Sequence, residues 1–335
     1  MSDFVQFPED VYVRAGNVFT AFDPKTSDFT IPNARAMMWF AQLAYEVDTS
    51  DANARLDKIN RIAALWQFQS VTTFRGSQSE LGTNYDTTGL VGIRSNAVLL
   101  AFAGTDPGVW QTLATDGQLR INPQTNTHRG FQSAFGASEV AQAVDSALSA
   151  RTPTRPLFIS GHSLGAALGI LAARRAVAGN AAPAAVYGYG TPRVGDATFQ
   201  SGYNAALGNV TYRLVHGRDL ITRVPMSFLG YRHVGRVLAC EPGGKFAKTA
   251  LSSEASNDPD VTASYLGQIF QAGGAGIGGF LSGLFAGAGS RASFQTALAT
   301  LLQPPGHGPL GEWFKFIPPP IRDHLQDRYI AALTG

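Results

Sequence analysis

The chain has 335 residues and a formal net charge of +2; 44% of the residues are hydrophobic and only 15% are charged. This composition supports a large buried core. It excludes a protein organised around nucleic acid, because the basic residues are scattered along the chain and form no cluster. The only cysteine, Cys240, excludes an intrachain disulfide and a CxxC zinc or redox motif.

The N-terminal sequence MSDFVQFPED has neither the basic region nor the apolar region of a signal peptide. A cytoplasmic location is therefore the first expectation, and export without a cleaved leader is the alternative. No obligate protein partner is indicated by the sequence.

The first elements in chain order are helical. Apolar residues recur at steps of three and four over residues 33–69, and Asn33 is the expected cap of the first helix. The period then changes, and strands are predicted at Val71–Phe74, Gly89–Ile93 and Ala97–Ala103. The last of these is a nearly continuous apolar run, which predicts a strand covered on both faces, as in a parallel sheet.

Strands and helices then alternate. Helices are predicted at Phe131–Leu148, Leu164–Val177 and Ala197–Leu207, and strands at Leu157–Ser160, Ala185–Tyr189 and Val210–Val215. Alternation of this kind predicts an α/β fold with a mostly parallel central sheet flanked by helices. We expect one domain over residues 1–335, with an insert or flap at 241–316 before a terminal helical segment, Ile321–Leu333.

The sequence GHSLG at residues 161–165 has the G-x-S-x-G pattern. A serine hydroxyl is a poor nucleophile, so it must be exposed at a sharp turn within reach of a base. Glycines two residues to either side remove side chains that would clash in such a turn. An apolar run of strand length precedes the motif and a helix of small residues follows it. This setting predicts that Ser163 is the nucleophile of a serine hydrolase; the alternative is a tight turn with an incidental serine.

Acyl transfer also needs N–H donors that point at the developing oxyanion. The backbone N–H of Leu164, directly after the nucleophile, is one expected donor. Thr105 is the other, because it follows the apolar strand, and Asp106 is placed to support its loop. Residues 107–119 come next and predict a short amphipathic helix, either a lid that opens at a lipid surface or a helix packed on the core.

A serine nucleophile needs a base and an acid that orients the base, and in this fold class the chain order is serine, acid, histidine. Asp219 is the favoured acid because it emerges directly after the strand at Val210–Val215. Asp196, one strand earlier, is the alternative. Each of the two could instead be a surface aspartate or a helix cap.

The same chain order excludes His128 and His216 as the base, because both precede Asp219, and leaves three candidates. His324, at the start of the predicted terminal helix after Pro318–Pro320, is favoured. His233 lies in a strand-like run, which suggests a structural histidine, and His307 lies in a Pro-Gly-His-Gly-Pro stretch. No group of His, Cys or Asp has metal-ligand spacing, so neither a metal nor another cofactor is predicted.

Six stretches together resemble the fungal-type triacylglycerol lipases, the class 3 lipase family. They occur in the order of the family over Val98–Tyr329 and are AFAGTD, THRGFQSAF, ISGHSLGAALG, YGTPRVGD, YRLVHGRDLITRVP and DHLQDRY. The resemblance implies an α/β-hydrolase fold, a triad of Ser163, Asp219 and His324, and oxyanion donors at Thr105 and Leu164. It also implies a lid between Thr105 and His128.

The function implied by the resemblance is hydrolysis of carboxylic esters, and most directly the release of fatty acids from acylglycerols at a lipid–water interface. Phospholipases and feruloyl esterases occur in the same family, so a non-lipolytic esterase and a phospholipase stay open. A catalytically inactive hydrolase fold used as a binding module is a further alternative, against which the intact serine, acid and histidine argue.

Two features depart from the family. The stretch between Asp219 and His324 is longer than the resemblance leads us to expect, and secreted fungal relatives carry disulfides that a single cysteine cannot form. The extra length contains an uncharged, glycine-rich segment at 261–290, with glycine at every fourth residue from Gly279 to Gly287. A flap over the active site, an element that meets lipid and a membrane-spanning helix are all compatible with this segment.

Overall fold

The computed structural model describes residues 6–47, 52–80, 83–104, 120–225, 227–252 and 322–334. Its strands are β1 (Ser70–Glu80), β2 (Thr83–Ile93), β3 (Val98–Phe102), β4 (Ile121–Asn122), β5 (Thr127–His128), β6 (Leu157–His162), β7 (Ala185–Tyr189), β8 (Thr211–His216), β9 (Arg236–Cys240) and β10 (Leu251–Ser252). The short strands β4 and β5 pair with each other, and the rest form one sheet in the order β1-β2-β3-β6-β7-β8-β9-β10.

The central part of this sheet is parallel. Strands β3, β6, β7, β8 and β9 pair side by side in parallel, whereas β1, β2 and β10 add antiparallel pairs at the edges. The predicted mostly parallel sheet is therefore confirmed. Because parallel strands all end at the same edge, the ends of β3, β6, β7 and β8 meet there, and the predicted site residues Ser163 and Asp219 follow β6 and β8 at this edge.

Helices cover both faces of the sheet. They are α1 (Glu9–Ala15), α2 (Ile31–Ala44), α3 (Ala52–Leu65), α4 (Arg129–Phe135), α5 (Ser138–Ser149), α6 (Leu164–Ala178), α7 (Ala197–Leu207) and α8 (Gln326–Leu333). Short 3-10 helices occur at Tyr45–Val47, Gly208–Val210, Ile221–Arg223, Ser227–Leu229 and Lys248–Ala250. None of the helices in the part of the chain that the structure describes is both long and apolar enough to cross a membrane.

The position of β3 in the sheet explains why its sequence is apolar throughout. All five of its residues are buried, and successive side chains join hydrophobic clusters on opposite sides of the sheet. Leu100 belongs to the cluster that includes Phe131 on α4, and Leu99 to the cluster that includes Met37 on α2. Side chains alternate between faces along a strand, so a strand with a core on each side must be apolar throughout.

Two details of the predicted helices were wrong. The helix predicted at Phe131–Leu148 is two helices, because Gly136 ends α4 and Ala137 has an extended backbone (φ −62°, ψ 140°) before α5 begins. Both helices pack on the same core cluster, so the apolar period runs on across the break and does not reveal it.

The cap of α2 is also different from the prediction. Thr30 is the cap residue, and its hydroxyl accepts the backbone N–H of Asn33. Asn33 lies inside the helix, where its side-chain amide pairs in both directions with the backbone of Asp23. A buried amide satisfied by a neighbouring loop looks, in sequence, like an amide satisfied by its own helix.

Several predictions fall on residues outside those that the structure describes. They concern Thr105 and Asp106, the lid at 107–119, the glycine-rich segment at 261–290, most of the insert at 241–316, and His307.

Candidate active site

Ser163 occupies a sharp turn between β6 and α6. Its backbone has φ 61° and ψ −130°, a conformation that residues other than glycine rarely adopt. The N–H of Ser163 donates to the carbonyl of Tyr189 at the end of the neighbouring strand β7, with a distance of 2.9 Å. The strand–turn–helix context predicted from the GHSLG sequence is therefore present, with the serine held at the carboxyl edge of the sheet.

The two glycines of the motif are required by close backbone packing. A Cβ atom on Gly161 would lie 2.2 Å from the backbone of Gly165, and one on Gly165 would lie 2.2 Å from the carbonyl oxygen of Phe102 on β3. Both distances are far inside van der Waals contact. The glycines thus let α6 leave the sheet immediately after the serine, which fixes the direction in which the turn points.

The same turn supplies a place for negative charge. Leu164 is the first residue of α6, so its N–H has no acceptor within the helix and lies at the positive end of the helix dipole. The end of β3 approaches from the other side: a Cβ on Gly104 would lie 2.8 Å from both the Cβ of Ser163 and the carbonyl oxygen of His162. Gly104 is the residue before Thr105, the second predicted donor.

Asp219 is completely buried and accepts hydrogen bonds on both carboxylate oxygens. Its Oδ2 accepts from His324 Nδ1 at 2.8 Å and from the hydroxyl of Tyr329 at 2.6 Å, and its Oδ1 accepts the backbone N–H of Ile221 at 2.8 Å. Burial alone would raise the pKa of Asp219. The charge of His324 and the hydrogen bonds from these three residues more than offset burial, so the pKa lies below its ordinary value and the group is ionised.

His324 faces the serine turn from the C-terminal segment. Because Asp219 is an acceptor, Nδ1 of His324 carries the proton, and Nε2 is left with its lone pair. Nε2 is buried and has no hydrogen-bond partner among the described residues. The imidazole lies beside Gly190, on which a Cβ would be 2.7 Å from it, and its ring centroid is 4.6 Å from that of His162, the neighbour of Ser163. An imidazole in this state can accept a proton from a nearby hydroxyl.

Comparison with known proteins bears on this arrangement. The family Lipase (class 3) matches residues 71–229. These residues, just under half of the chain, are therefore similar to the class 3 lipases. The matched residues include Ser163, Leu164 and Asp219 but end before His324, so the pairing of His324 with Asp219 rests on the geometry above and not on the match.

Relatives of the chain carry lipase names. One is the secreted mono- and diacylglycerol lipase 1 of Fusarium solani, 38% identical over 109 residues, which are 32% of each chain. A second is the lipase of Rhizomucor miehei, 28% identical over 163 residues, which are 45% of this chain and 44% of that one. These two matches thus cover between about a third and a half of the relatives' length.

The mono- and diacylglycerol lipase of Aspergillus oryzae is similar in structure. The superposition has a TM-score of 0.53, covers 71% of this chain and 91% of that chain, and has 21% sequence identity. At this identity the likeness concerns the fold, and it agrees with the predicted α/β-hydrolase fold.

The alternative acid, Asp196, and one alternative base, His233, are engaged in other contacts. Asp196 caps α7, where its Oδ1 accepts the backbone N–H groups of Thr198 and Phe199 at 2.9 Å. His233 is buried and its Nε2 lies 2.7 Å from the carbonyl oxygen of Thr222. Both therefore have the structural function that the sequence offered as an alternative.

His128 and His216, which the chain order excludes as the base, are also structural. His128 caps α4 by accepting the N–H of Phe131 on Nδ1, and burial lowers the pKa of His128 to about 3. His216 ends β8, where its Nε2 accepts the N–H of Gly243. No group of three or more His, Cys, Asp or Glu side chains that could hold a metal occurs among the described residues.

The sequence reasoning did not identify Tyr329, whose hydroxyl contacts the predicted triad. Tyr329, on α8, donates to Asp219 and also accepts the backbone N–H of His216 at 3.2 Å. It lies in the stretch DHLQDRY, five residues after His324, but nothing in that spacing indicates that its hydroxyl returns to β8. Only the packing of α8 against the sheet brings these groups together.

Proposed function

We propose that the protein is a lipase that hydrolyses acylglycerols through an acyl-enzyme on Ser163. The single observation that carries the proposal is the buried, ionised Asp219, which holds the imidazole of His324 with its Nε2 lone pair directed away from the acid, at the same edge of the sheet as Ser163. The match of residues 71–229 to the class 3 lipase family and the names of the relatives support the lipid substrate.

In the first half of the reaction, Nε2 of His324 takes the proton of the Ser163 hydroxyl while Oγ forms a bond with the ester carbonyl carbon. The carbonyl π electrons move to oxygen, and the N–H of Leu164, together with that of Thr105 as predicted from the sequence, stabilises the oxyanion. Asp219 stabilises the imidazolium that forms. When the carbon–oxygen bond to the alcohol breaks, Nε2 returns the proton to the departing alkoxide.

In the second half, water replaces the alcohol. Nε2 of His324 takes a proton from the water molecule while the oxygen of that water attacks the acyl carbon. The second tetrahedral adduct then releases Ser163 with its proton restored and the fatty acid as product. No step requires a cofactor. The desolvation of Asp219 and His324 strengthens their pairing, because buried charges are less screened than charges in water.

The experiment compares the wild-type protein with Ser163→Ala on three substrates: a short p-nitrophenyl ester, a long one, and an emulsified acylglycerol. We expect strong wild-type hydrolysis of the emulsion, with a steep rise once the substrate forms a separate phase, and loss of activity in the variant. Labelling with a fluorophosphonate followed by peptide mass spectrometry should place the adduct on Ser163.

Other results would lead elsewhere. Hydrolysis of the short soluble ester alone would point to a non-lipolytic esterase with the same site. Full activity in Ser163→Ala would reject the nucleophile, and an unlabelled, inactive wild type would point to a binding module. The relative from Fusarium solani is named as a secreted protein, which supports export as the location to test first.

A further inference from the structure

Next to the predicted triad lies a second set of buried polar groups that the proposed mechanism does not use. Tyr45, in the turn that follows α2, and His162, the last residue of β6, are both buried. The hydroxyl of Tyr45 lies 2.7 Å from Nδ1 of His162, and Nε2 of His162 lies 2.7 Å from the backbone carbonyl oxygen of His324. We call these two residues the Tyr45–His162 link.

The chemistry of the link fixes the direction of each hydrogen bond. A carbonyl oxygen can only accept, so Nε2 of His162 must carry a proton and donate it to His324. Burial, reinforced by the positive charge that His324 can carry, lowers the pKa of His162 to about 3, so the ring is neutral and Nδ1 has no proton. Nδ1 must then accept the hydroxyl proton of Tyr45.

The oxygen of Tyr45 is itself held. Burial raises the pKa of Tyr45, and hydrogen bonds to this oxygen from the Gln326 side chain and the Gly104 backbone work against that rise. Gly104 precedes Thr105, the predicted oxyanion donor, and a Cβ there would lie only 2.3 Å from the Tyr45 oxygen. One series of hydrogen bonds therefore joins the end of β3, the residue beside Ser163, and the main chain of His324.

The segment around His324 needs such support. His324 precedes α8 and is not part of it; in its own turn the N–H of Leu325 bonds to the carbonyl of Arg322. Asp219 holds the ring of His324 only at Nδ1, so the ring can still rotate about that hydrogen bond. A second contact on the carbonyl of the same residue, through a buried ring on β6, removes that freedom.

We propose that Tyr45 and His162 are positioning residues, which hold the main chain of His324 so that its imidazole stays within proton-transfer distance of Ser163. This inference rests on the proposed function, because it assigns the two residues to the base of that reaction. Misplacement of a reacting group by about 1 Å lowers the rate about 100-fold, so the link acts on kcat and leaves the binding of the acyl chain unchanged.

Two substitutions of His162, by asparagine and by glutamine, test the link. An asparagine side chain presents its carbonyl oxygen near the position of Nδ1 and accepts from Tyr45, but it is too short to donate to the carbonyl of His324. A glutamine side chain reaches the position of Nε2 and donates there. Using a soluble p-nitrophenyl ester, we expect His162→Asn to lower kcat about 100-fold with little change in KM, and His162→Gln to restore most of the loss.

A change in the tyrosine provides a milder variant that preserves the fold. Tyr45→Phe keeps the ring and removes only the hydroxyl, so kcat should fall about tenfold because His162 loses the partner of Nδ1. The matched control is Tyr203→Phe: Tyr203 on α7 is also buried, and its hydroxyl bonds to Thr211 at the opposite end of β8. This control should lose some stability to urea while kcat stays that of the wild type. If His162→Asn does not fold, Tyr45→Phe against Tyr203→Phe decides.

A measurement without turnover separates this inference from the proposed function. Long-range ¹H–¹⁵N NMR spectra of the histidine side chains should show His162 neutral with its proton on Nε2 at pH 6. A proton on Nδ1 of His162 would overturn the link, as would wild-type kcat in both His162→Asn and Tyr45→Phe. Failure of the wild type to hydrolyse any ester or to react with a fluorophosphonate would instead reject the proposed function.

Discussion

The serine and the histidine of the candidate site are held in place by different means. Ser163 is fixed by its own neighbours in sequence: a strand ends, two glycines allow close packing, and a helix begins. His324 precedes its helix and is fixed by hydrogen bonds from distant parts of the chain, to Asp219 after β8 and to His162 on β6. The position of the first is local and steric, and that of the second is long-range and polar.

This difference predicts two kinds of mutational effect. Changes around Ser163 should act through backbone clashes and therefore lower stability. Changes around His324 should leave the backbone intact and lower the rate, because they alter which proton lies where.

The largest effect is expected from Asp219→Asn. Both oxygens of Asp219 accept hydrogen bonds from fixed donors. In either orientation of the asparagine side chain, its NH₂ group must therefore face one of these donors. His324 then escapes the clash by moving its proton to Nε2, where it can no longer accept from Ser163. By analogy with serine proteases we expect kcat to fall about 10⁴-fold, measured on a soluble ester, with the circular dichroism unchanged.

Asp196→Asn is the matched control for that change. Asp196 caps α7, and asparagine is as good a helix cap as aspartate, so neither kcat nor stability should change appreciably. Equal losses of activity in the two variants would reject Asp219 as the acid.

The next effect concerns the serine turn. Gly161→Ala places a Cβ 2.2 Å from the backbone of Gly165, and neither β6 nor α6 can move without disturbing β3. We expect the free energy of unfolding in urea to fall by about 3 kcal/mol or more, or the protein to fail to accumulate in folded form. A variant as stable as the wild type would contradict the close packing described here.

Gly202→Ala serves as the control. Gly202 lies in α7 with open space around its Cα, so alanine there should raise stability by about 0.5–1 kcal/mol through the lower entropy of the unfolded chain. Opposite signs for two Gly→Ala changes would show that sterics at the turn, and not the residue type, decide the outcome.

The contrast between local and long-range contacts also explains what could be predicted from the sequence. The apolar run of β3 and the GHSLG turn depend on neighbouring residues, so periodicity and motif were enough to predict the strand and the turn. The break at Gly136 was missed because α4 and α5 share one apolar face. Contacts of Asp219 with Tyr329, and of His162 with Tyr45, join residues far apart in sequence, and no period or spacing encodes them.

Lowering the pH should lower the free energy of unfolding, because several histidines are buried. Burial lowers the pKa of His128 and His162 to about 3, and burial together with nearby arginines lowers that of His233. These rings stay neutral when folded but bind protons in the unfolded chain below about pH 6.5, so the unfolded state gains protons and stability falls as pH drops toward about 3.

Each histidine contributes on the order of 2 kcal/mol between about pH 7.5 and about pH 5. Urea unfolding at these two values measures the loss, and His128→Asn should reduce it by one histidine's share while lowering stability at neutral pH. Since Asp219 has a lowered pKa and stays ionised over this range, the triad pairing is not what is lost. A stability that did not change with pH would show that the rings are protonated in the folded protein.

The smallest effect is expected from Tyr329→Phe, which removes one of the two hydrogen bonds on Oδ2 of Asp219 and leaves the one from His324. The hydrogen bond from Tyr329 lowers the pKa of Asp219, and without it the carboxylate becomes a stronger acceptor for the remaining donor. The imidazolium of His324 is then better stabilised. The acidic limb of the kcat/KM profile should therefore move to higher pH, with kcat on its plateau reduced about threefold to tenfold because α8 loses an anchor.

Tyr212→Phe is the control: the hydroxyl of Tyr212 bonds to the carbonyl of Ser27, so its removal should leave the profile in place. A shift in the profile separates an electrostatic effect on the base from simple loosening of α8, which would lower the rate equally at every pH.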